Sequence, residues 1–403
     1  MTLPRIDTDT DILIVGGGIM GCSLAYWLAR EGREVALIDR YDLNTQASGT
    51  NAGSIHVQIL SHWAWAEEPE AVRATQRPLK LYAEGVRTWR ELAKTLDTDI
   101  EFSTSGGLMI AETEREFRQI EKKVQRENEA GINTRVLDAN EVRKIAPYLS
   151  DVVIGADFCP DEGKLNPIAA TPAIARGAEK AGARIFRHAG LLKLERSGNR
   201  FTATTARGDI RASRVICAAG GWSAEVAAML GVTLPVTRRA LHMNATEAME
   251  YRVPHLIQHM GRRLTLKQAS NGTMLIGGGW AAQIDEPTNR AVVQRSSIHG
   301  NLWVAQHLMP ELGHLRIVRT WSGIINVMAD GLPVMGEVPN VPGFYIASTS
   351  VGYTSGPGAA RLISELVLGR KPSLDISAFA FDRFMTGPQN FDKLPFLIEN
   401  PSL

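Results

Sequence analysis

The opening forty residues alternate apolar runs with small or charged interruptions. Residues 12–15 (ILIV) form an apolar, β-branched run suited to a strand buried on both faces. From Ile19 to Glu31 the residues Ile19, Leu24, Ala25, Leu28 and Ala29 recur near helical spacing and predict a helix. Gly32 suits the position just past it, and Val35 to Ile38 predict a second strand. Similar punctuation returns later. VICAAGGWS (215–223) reads as an apolar strand meeting two glycines, and 344–369 as strand, glycine-rich turn and helix. Residues 236–245, 262–268 and 272–277 predict antiparallel strands, with Asn271-Gly272 as a hairpin turn. In the middle one, Arg263, Thr265 and Lys267 alternate with Leu264, Leu266 and Gln268, which puts Lys267 on an exposed face. Residues 114–130 predict a heavily charged helix with a solvated face of paired charges.

The first strand runs into DILIVGGGIMG, where Gly16, Gly18 and Gly21 fill the G-x-G-x-x-G pattern. The first glycine permits a tight turn, the second lets backbone approach a pyrophosphate, and the third lets helix pack close on strand. Asp39 closes the second strand, where its carboxylate can hold a ribose hydroxyl. It also argues against a 2′-phosphate, although Arg40 beside it keeps that option open. Strand, glycine loop, helix, strand and acid in this order predict a dinucleotide site. NAD and FAD both fit it.

Charge and composition then exclude partners. The 44 basic residues against 43 acidic give no electrostatic reason to expect nucleic acid or an acidic membrane surface. No apolar run approaches the roughly 20 residues needed to span a bilayer, and MTLPRIDTDT lacks the basic and apolar regions of a signal peptide. Cys22, Cys159 and Cys217 match neither a metal site nor a redox pair, and an odd count argues against a disulfide framework. A reducing, cytoplasmic setting is expected. His242, His255 and His259 are irregularly spaced, and no metal is expected. At 403 residues the chain predicts two or three structural units.

Four landmarks decide between the cofactors: the dinucleotide unit, ASGTNAGSI (47–55), VICAAGGWS (215–223), and FYIASTSVGYTSGPGAARLISELVLG (344–369). With WSGIINVMADGLPVMG (321–336), they make the chain resemble the FAD-dependent oxidoreductases of the D-amino-acid oxidase type, which include sarcosine and glycine oxidases. HVQILSHW (56–63), STSGGLMIAETE (103–114) and FCPDEGKLNP (158–167) look most like sarcosine oxidase β-type subunits, among them D-hydroxyproline dehydrogenases and opine oxidase B subunits.

The resemblance implies an α/β fold, with a Rossmann-like FAD-binding domain beside a mixed-sheet substrate domain. Residues 1–60, 150–225 and 320–380 would form the first, 61–149 and 226–319 the second, and 381–403 a tail. FAD would lie on Gly16, Gly18, Ile19, Met20, Gly21, Asp39 and Arg40, then Ser48, Asn51, Ala52 and Gly53. Leu191, Ala219, Gly220, Trp222, Gly331, Gly352, Tyr353 and Thr354 would complete its site. The flavin carries the hard chemistry, so no paired acid and base is sought. His56, Lys267 and Tyr353 are the candidates to meet substrate or the flavin edge.

The rival roles of these three are a backbone-bonded histidine, an exposed lysine and an aromatic packed on the last helix. Where glycine oxidase-like members carry an arginine, this chain has Ile324, Ile325 and Asn326, so a substrate carboxylate needs Arg262, Arg263 or Lys267. Residues 321–336 contain no cysteine for a thioether, so FAD would be bound non-covalently.

The implied reaction is oxidation of the C–N bond of an amino acid or secondary amine, giving an imine that hydrolyses. A 2-hydroxy acid or polyol dehydrogenase, or a non-catalytic flavin-binding subunit, are the alternatives. β-type subunits work beside small iron–sulfur or second flavin subunits. The HWAWAEEPE stretch (62–70) offers Trp63 and Trp65 as an apolar interface patch.

Overall fold

A computed structural model of the chain describes residues 3–349 and 351–385. Two large sheets carry the structure. At the centre of the eight-stranded sheet, Ile6–Val15 pairs in parallel with Val35–Ile38 and with Gly208–Cys217. Parallel pairing buries a strand on both faces, which is why residues 12–15 are apolar without alternation. Phe344–Ser348 extends the parallel set beyond Gly208–Cys217, and Val334–Glu337 closes that edge antiparallel. Helices Ile19–Arg30, Pro167–Lys180, Gly352–Val367 and Leu79–Thr95 pack together within one core.

The ten-stranded sheet is mixed. Its long members are Val236–Ala248 and Ile317–Met328, paired antiparallel along nearly their whole length. The hairpin Thr265–Gln268 and Thr273–Gly277 sits inside the sheet, with Gly272 at φ +89° and the Thr273 N–H on Asn271 Oδ1.

Several expected features are corrected here. The strand expected over 262–268 starts at Thr265. Lys267 is buried, not exposed, because its strand lies inside the sheet and both faces are covered. The helix Glu114–Glu129 is not merely solvated: Gln119, Ile120, Lys123, Val124 and Glu127, three or four apart, turn inward as one stripe. Two expected domain boundaries fall inside the second sheet, since Gly155–Cys159 and Ile317–Met328 both pair there.

Residues 381–385 are no free tail. Phe381 and Phe384 join the core of the first sheet, and Arg383 Nε lies 2.7 Å from Asp330. Residues 386–403 lie outside the described residues. Trp63 is buried, and Trp65 donates its indole N–H to the Met260 carbonyl at 3.2 Å. The two rings fold back onto their own chain because each finds apolar or hydrogen-bonding neighbours there, so no interface patch forms.

Candidate active site

One cavity of about 540 Å³ lies between the sheets. Its outer end is built from backbone. Strand Ile6–Val15 ends at Gly16, which turns at φ +114° and donates its N–H to the Ile38 carbonyl at 2.8 Å. A Cβ at Gly16 would lie 2.4 Å from the Ala218 carbonyl oxygen, so both geometry and space demand glycine. A Cβ at Gly18 would crowd Ser48 Oγ at 2.9 Å, the atom that accepts the Ile19 N–H. Gly21 sits below the cavity, where a Cβ would meet the Gly16 carbonyl oxygen at 1.8 Å. That close approach sets the first helix with its N-terminus open on the cavity.

Asp39 stands at the tip of the second strand. Its carboxylate accepts from the Gly17 N–H at 2.6 Å and the Tyr41 N–H at 2.7 Å. Each oxygen keeps a spare lone pair for a ligand. Burial pushes its pKa up, while those two hydrogen bonds act against that. Arg40 and Arg238 each place a guanidinium near the Trp222 ring, at 5.9 and 5.8 Å from its centroid, and both pair with Glu225.

The loop after residue 46 is held by Asn51, whose amide donates to the Ala47 and Ser48 carbonyls and accepts the Gly53 N–H. Met20, Ala52, Leu191, Ala219, Gly220 and Gly352 also border the cavity. Gly21, Gly53 and Gly331 do not. Gly53 serves packing, because a Cβ there would meet the Leu165 carbonyl oxygen at 2.2 Å. Gly331 instead turns the chain beyond strand Ile317–Met328, with its N–H on the Met328 carbonyl.

The inner end is built from side chains. His56 borders it; its backbone N–H is held by Thr354 Oγ1 at 2.8 Å, and its Nδ1 has no partner among the described residues. Burial, then the neighbouring Lys267, pulls the His56 pKa down to about 4. His62 is likewise held near 4 by burial and then Arg263. Lys267 lies just behind this wall. Its Nζ is buried and without a partner among the described residues, and burial together with Lys164 holds its pKa well below the usual lysine value.

Tyr353 borders the cavity but is otherwise engaged. Its ring stacks on Trp89 with centroids 5.9 Å apart, and its hydroxyl bonds Thr171 and the Pro167 carbonyl. The packed-aromatic role describes this residue. Arg262 is committed to Glu112 through two hydrogen bonds and lies outside the cavity lining. Arg263 also lies outside the lining, but it donates to the carbonyl of Gly279, which borders the cavity. The three histidines of 242–259 serve separate places: His259 bonds Glu112, His255 bonds Tyr148, and the buried His242 itself lines the cavity, both ring nitrogens without a partner among the described residues.

Gln258 at the wall, and Glu162 behind it, carried no sequence signal of their own. The inward stripe of the charged helix could have been read from the i, i+4 spacing of Lys123 and Glu127.

A cavity bordered by two glycine-led helix N-termini suits a nucleotide cofactor. A cradle that a single Cβ would obstruct, and the partnerless buried Lys267 Nζ and His56 Nδ1 at the far end, fit a ligand as long as FAD. The family described as FAD dependent oxidoreductase matches residues 11–366, and the chain belongs to it. Its cofactor is FAD. The beta subunit of sarcosine oxidase from an Arthrobacter species is 26% identical over 398 residues, covering 95% of this chain and 93% of that one. The opine oxidase B subunit of Rhizobium meliloti is 25% identical over 390 residues, covering 93% and 98%. The solved structure of L-proline dehydrogenase from P. horikoshii superposes with a TM-score of 0.82 at 22% identity, covering 95% of this chain and 99% of the other.

Proposed function

We propose that the protein oxidises the C–N bond of an amino acid or N-substituted amino acid to an imine, which water then hydrolyses. The observation that carries this reading is the make-up of the inner wall, which His56, His62 and Gln258 line and behind which the buried, partnerless Lys267 Nζ lies. His56 and His62 are pulled down to about 4, Lys267 is held well below its usual value, and among the described residues no carboxylate borders that end. Such a wall stabilises neither an ammonium nor a carboxylate strongly, so it favours the uncharged amine. FAD, when bound, supplies the oxidant that takes a hydride from the carbon next to nitrogen.

The amine leaves its proton with solvent before entering, and His56 Nδ1, held neutral and without a partner among the described residues, accepts a hydrogen bond from its N–H. Arg263, bonded to the cavity-lining Gly279, is the cation assigned to the substrate carboxylate, in place of the arginine missing at Ile324, Ile325 and Asn326. Gly16, Gly18, Asp39 and Ser48 hold the nucleotide half of the cofactor, and the neighbouring Arg40 and Trp222 flank it. FAD is bound without a covalent link: Cys22, Cys159 and Cys217 are all buried outside the cavity lining. The same unpaired thiols support a cytoplasmic setting.

The same proposal includes assembly with small iron–sulfur or second flavin subunits. It is supported by relatives named as subunits, and no longer by residues 62–70. Among the described residues no helix is long and apolar enough to cross a membrane.

Anaerobic bleaching of the bound flavin tests the reading. Sarcosine, glycine, proline and opines are compared with 2-hydroxy acids and polyols. Bleaching by amines is expected. Bleaching by hydroxy acids or polyols alone would replace the reaction, and none by any compound would make this a non-catalytic flavin subunit.

A further inference from the structure

The segment that follows the cofactor loop is held in an unusual way. Past the short strand Ser54–Ile55, four successive peptide N–H groups are all received by side chains from distant elements. His56 donates to Thr354, Val57 and Gln58 donate to Glu162 Oε1 at 2.7 and 3.0 Å, and Ile59 donates to Glu127 at 2.6 Å. Glu162 is fully buried. Room for it exists because residue 107 is glycine, where a Cβ would lie 1.9 Å from its Oε2.

That second oxygen accepts from Gln58 Nε2 and Gln258 Nε2, each at 3.1 Å. Four donors and no acceptor therefore surround the carboxylate. These hydrogen bonds favour the ionised form against the burial that pushes its pKa up to about 7, so above that pH Glu162 stands as a carboxylate. Lys123 faces it with the compensating charge, and Asp157 opposes it.

A carboxylate can only accept. Gln258 must then turn its NH2 toward Glu162, which leaves its carbonyl oxygen on the other side. On that side lie the cavity, which Gln258 borders, and the His56 ring, from which its carbonyl accepts a hydrogen bond, leaving one lone pair of that oxygen for a ligand. We propose that Glu162 is a positioning residue that fixes the Gln258 amide with its carbonyl oxygen toward His56 and the cavity, so that the wall presents a hydrogen-bond acceptor to an N–H of the bound flavin or amine. The same carboxylate fixes the peptide of residues 57 and 58, so wall and acceptor keep one register. This rests on the C–N oxidation reading for the identity of the amine, but not for the orientation of the amide.

The test compares flavin-loaded wild type, Glu162→Gln, Gln258→Glu and the double variant. In Glu162→Gln the new amide NH2 meets two amide donors, and Gln258 turns its own NH2 to the cavity. In the double variant the amide at 162 donates to the carboxylate at 258, and an acceptor faces the cavity again. The readouts are the visible absorbance of the bound flavin and the sarcosine concentration for half-maximal bleaching.

Glu162→Gln is expected to keep its flavin, shift the visible band and raise the half-saturating concentration about tenfold, the size of one net hydrogen bond. The double variant should return both toward wild type. An unchanged band with unchanged half-saturation in Glu162→Gln overturns the proposal, as does a double variant no better than the single ones. Should Glu162→Gln fail to fold, Gln258→Leu removes the acceptor while leaving the clamp on residues 57 and 58, and an unchanged band there overturns it equally. If wild-type flavin is bleached by no amine, the reaction reading falls, and the absorbance comparison alone decides the role of Glu162.

Discussion

The two ends of the cavity are made of different materials. The outer end is built from backbone: Gly16, Gly18 and the open end of the first helix, with Asp39 at the tip of the second strand accepting the Gly17 N–H. At the inner end the wall is held by buried charge: Glu162, Glu127, Asp157 and Lys123, none of which borders the cavity itself. The contrast follows from what each end must do. A pyrophosphate is gripped by close approach, which side chains would obstruct. A reacting amine needs donors and acceptors fixed in direction, and long-range side-chain contacts supply that stiffness.

Removing charge from the inner end should have the largest effect. Lys123 lies 2.8 Å from Glu127 and 2.7 Å from Asp157, all three fully buried. Lys123→Ala leaves two carboxylates uncompensated in the core and should destabilise the protein by about 3–5 kcal/mol. Denaturant unfolding measures this, and a loss below about 1 kcal/mol would show that the inner wall does not depend on the network.

At the outer end the damage should fall on the cofactor rather than the fold. Gly18→Val puts branched carbon against Ser48 Oγ and, on the proposed cofactor placement, into the pyrophosphate's path. FAD retention after gel filtration should drop at least about tenfold, with the melting midpoint of the apoprotein little changed. Wild-type retention would break the comparison at its outer end. Asp39→Ala should do less. It removes one charge-assisted acceptor, worth roughly 1.5–3 kcal/mol of FAD affinity, and frees the Gly17 and Tyr41 N–H groups. Equilibrium titration with FAD gives the number.

The smallest effect is a slope in stability with pH. His56 and His62 have folded pKa values of about 4, below the unfolded value of about 6.5. The unfolded chain therefore takes up protons first as pH falls. Their contribution is fully present above about pH 6.5 and is lost as pH falls through about 4. Glu162 acts in the opposite sense: its folded value of about 7 lies above the unfolded 4.5, so its contribution declines as pH rises between them. The difference between wild type and His56→Gln/His62→Gln isolates the histidines. Melting midpoints from pH 7 to 4 should fall less steeply in the double variant, and parallel curves would mean that burial does not hold these rings neutral.

Most of the outer end was legible in the chain itself. Residues 12–39 specify it because each requirement is local: an apolar run for a buried strand, a glycine where a Cβ meets a carbonyl, an acid at the strand end. The helix predicted over 19–31 forms as Ile19–Arg30 with Gly32 just beyond it at φ +72°, since propensity and periodicity act within one turn. Local reading misjudged the ten-stranded sheet. Alternation around Lys267 pointed to an exposed face, but alternation cannot reveal that a strand is covered on both sides.

What the sequence by itself determined was the nucleotide unit, the family and therefore FAD, because these depend on spacing within a few tens of residues. Only the tertiary structure decided that Tyr353 turns its hydroxyl to Thr171, that Arg262 is taken by Glu112, and that Glu162 and Gln258 stand behind His56. Glu162 and Gln258 are 96 residues apart, and Glu162 and Gln58 are 104 apart. No periodicity links positions so distant; burial links them, because a carboxylate taken out of water must find its donors wherever the fold brings them.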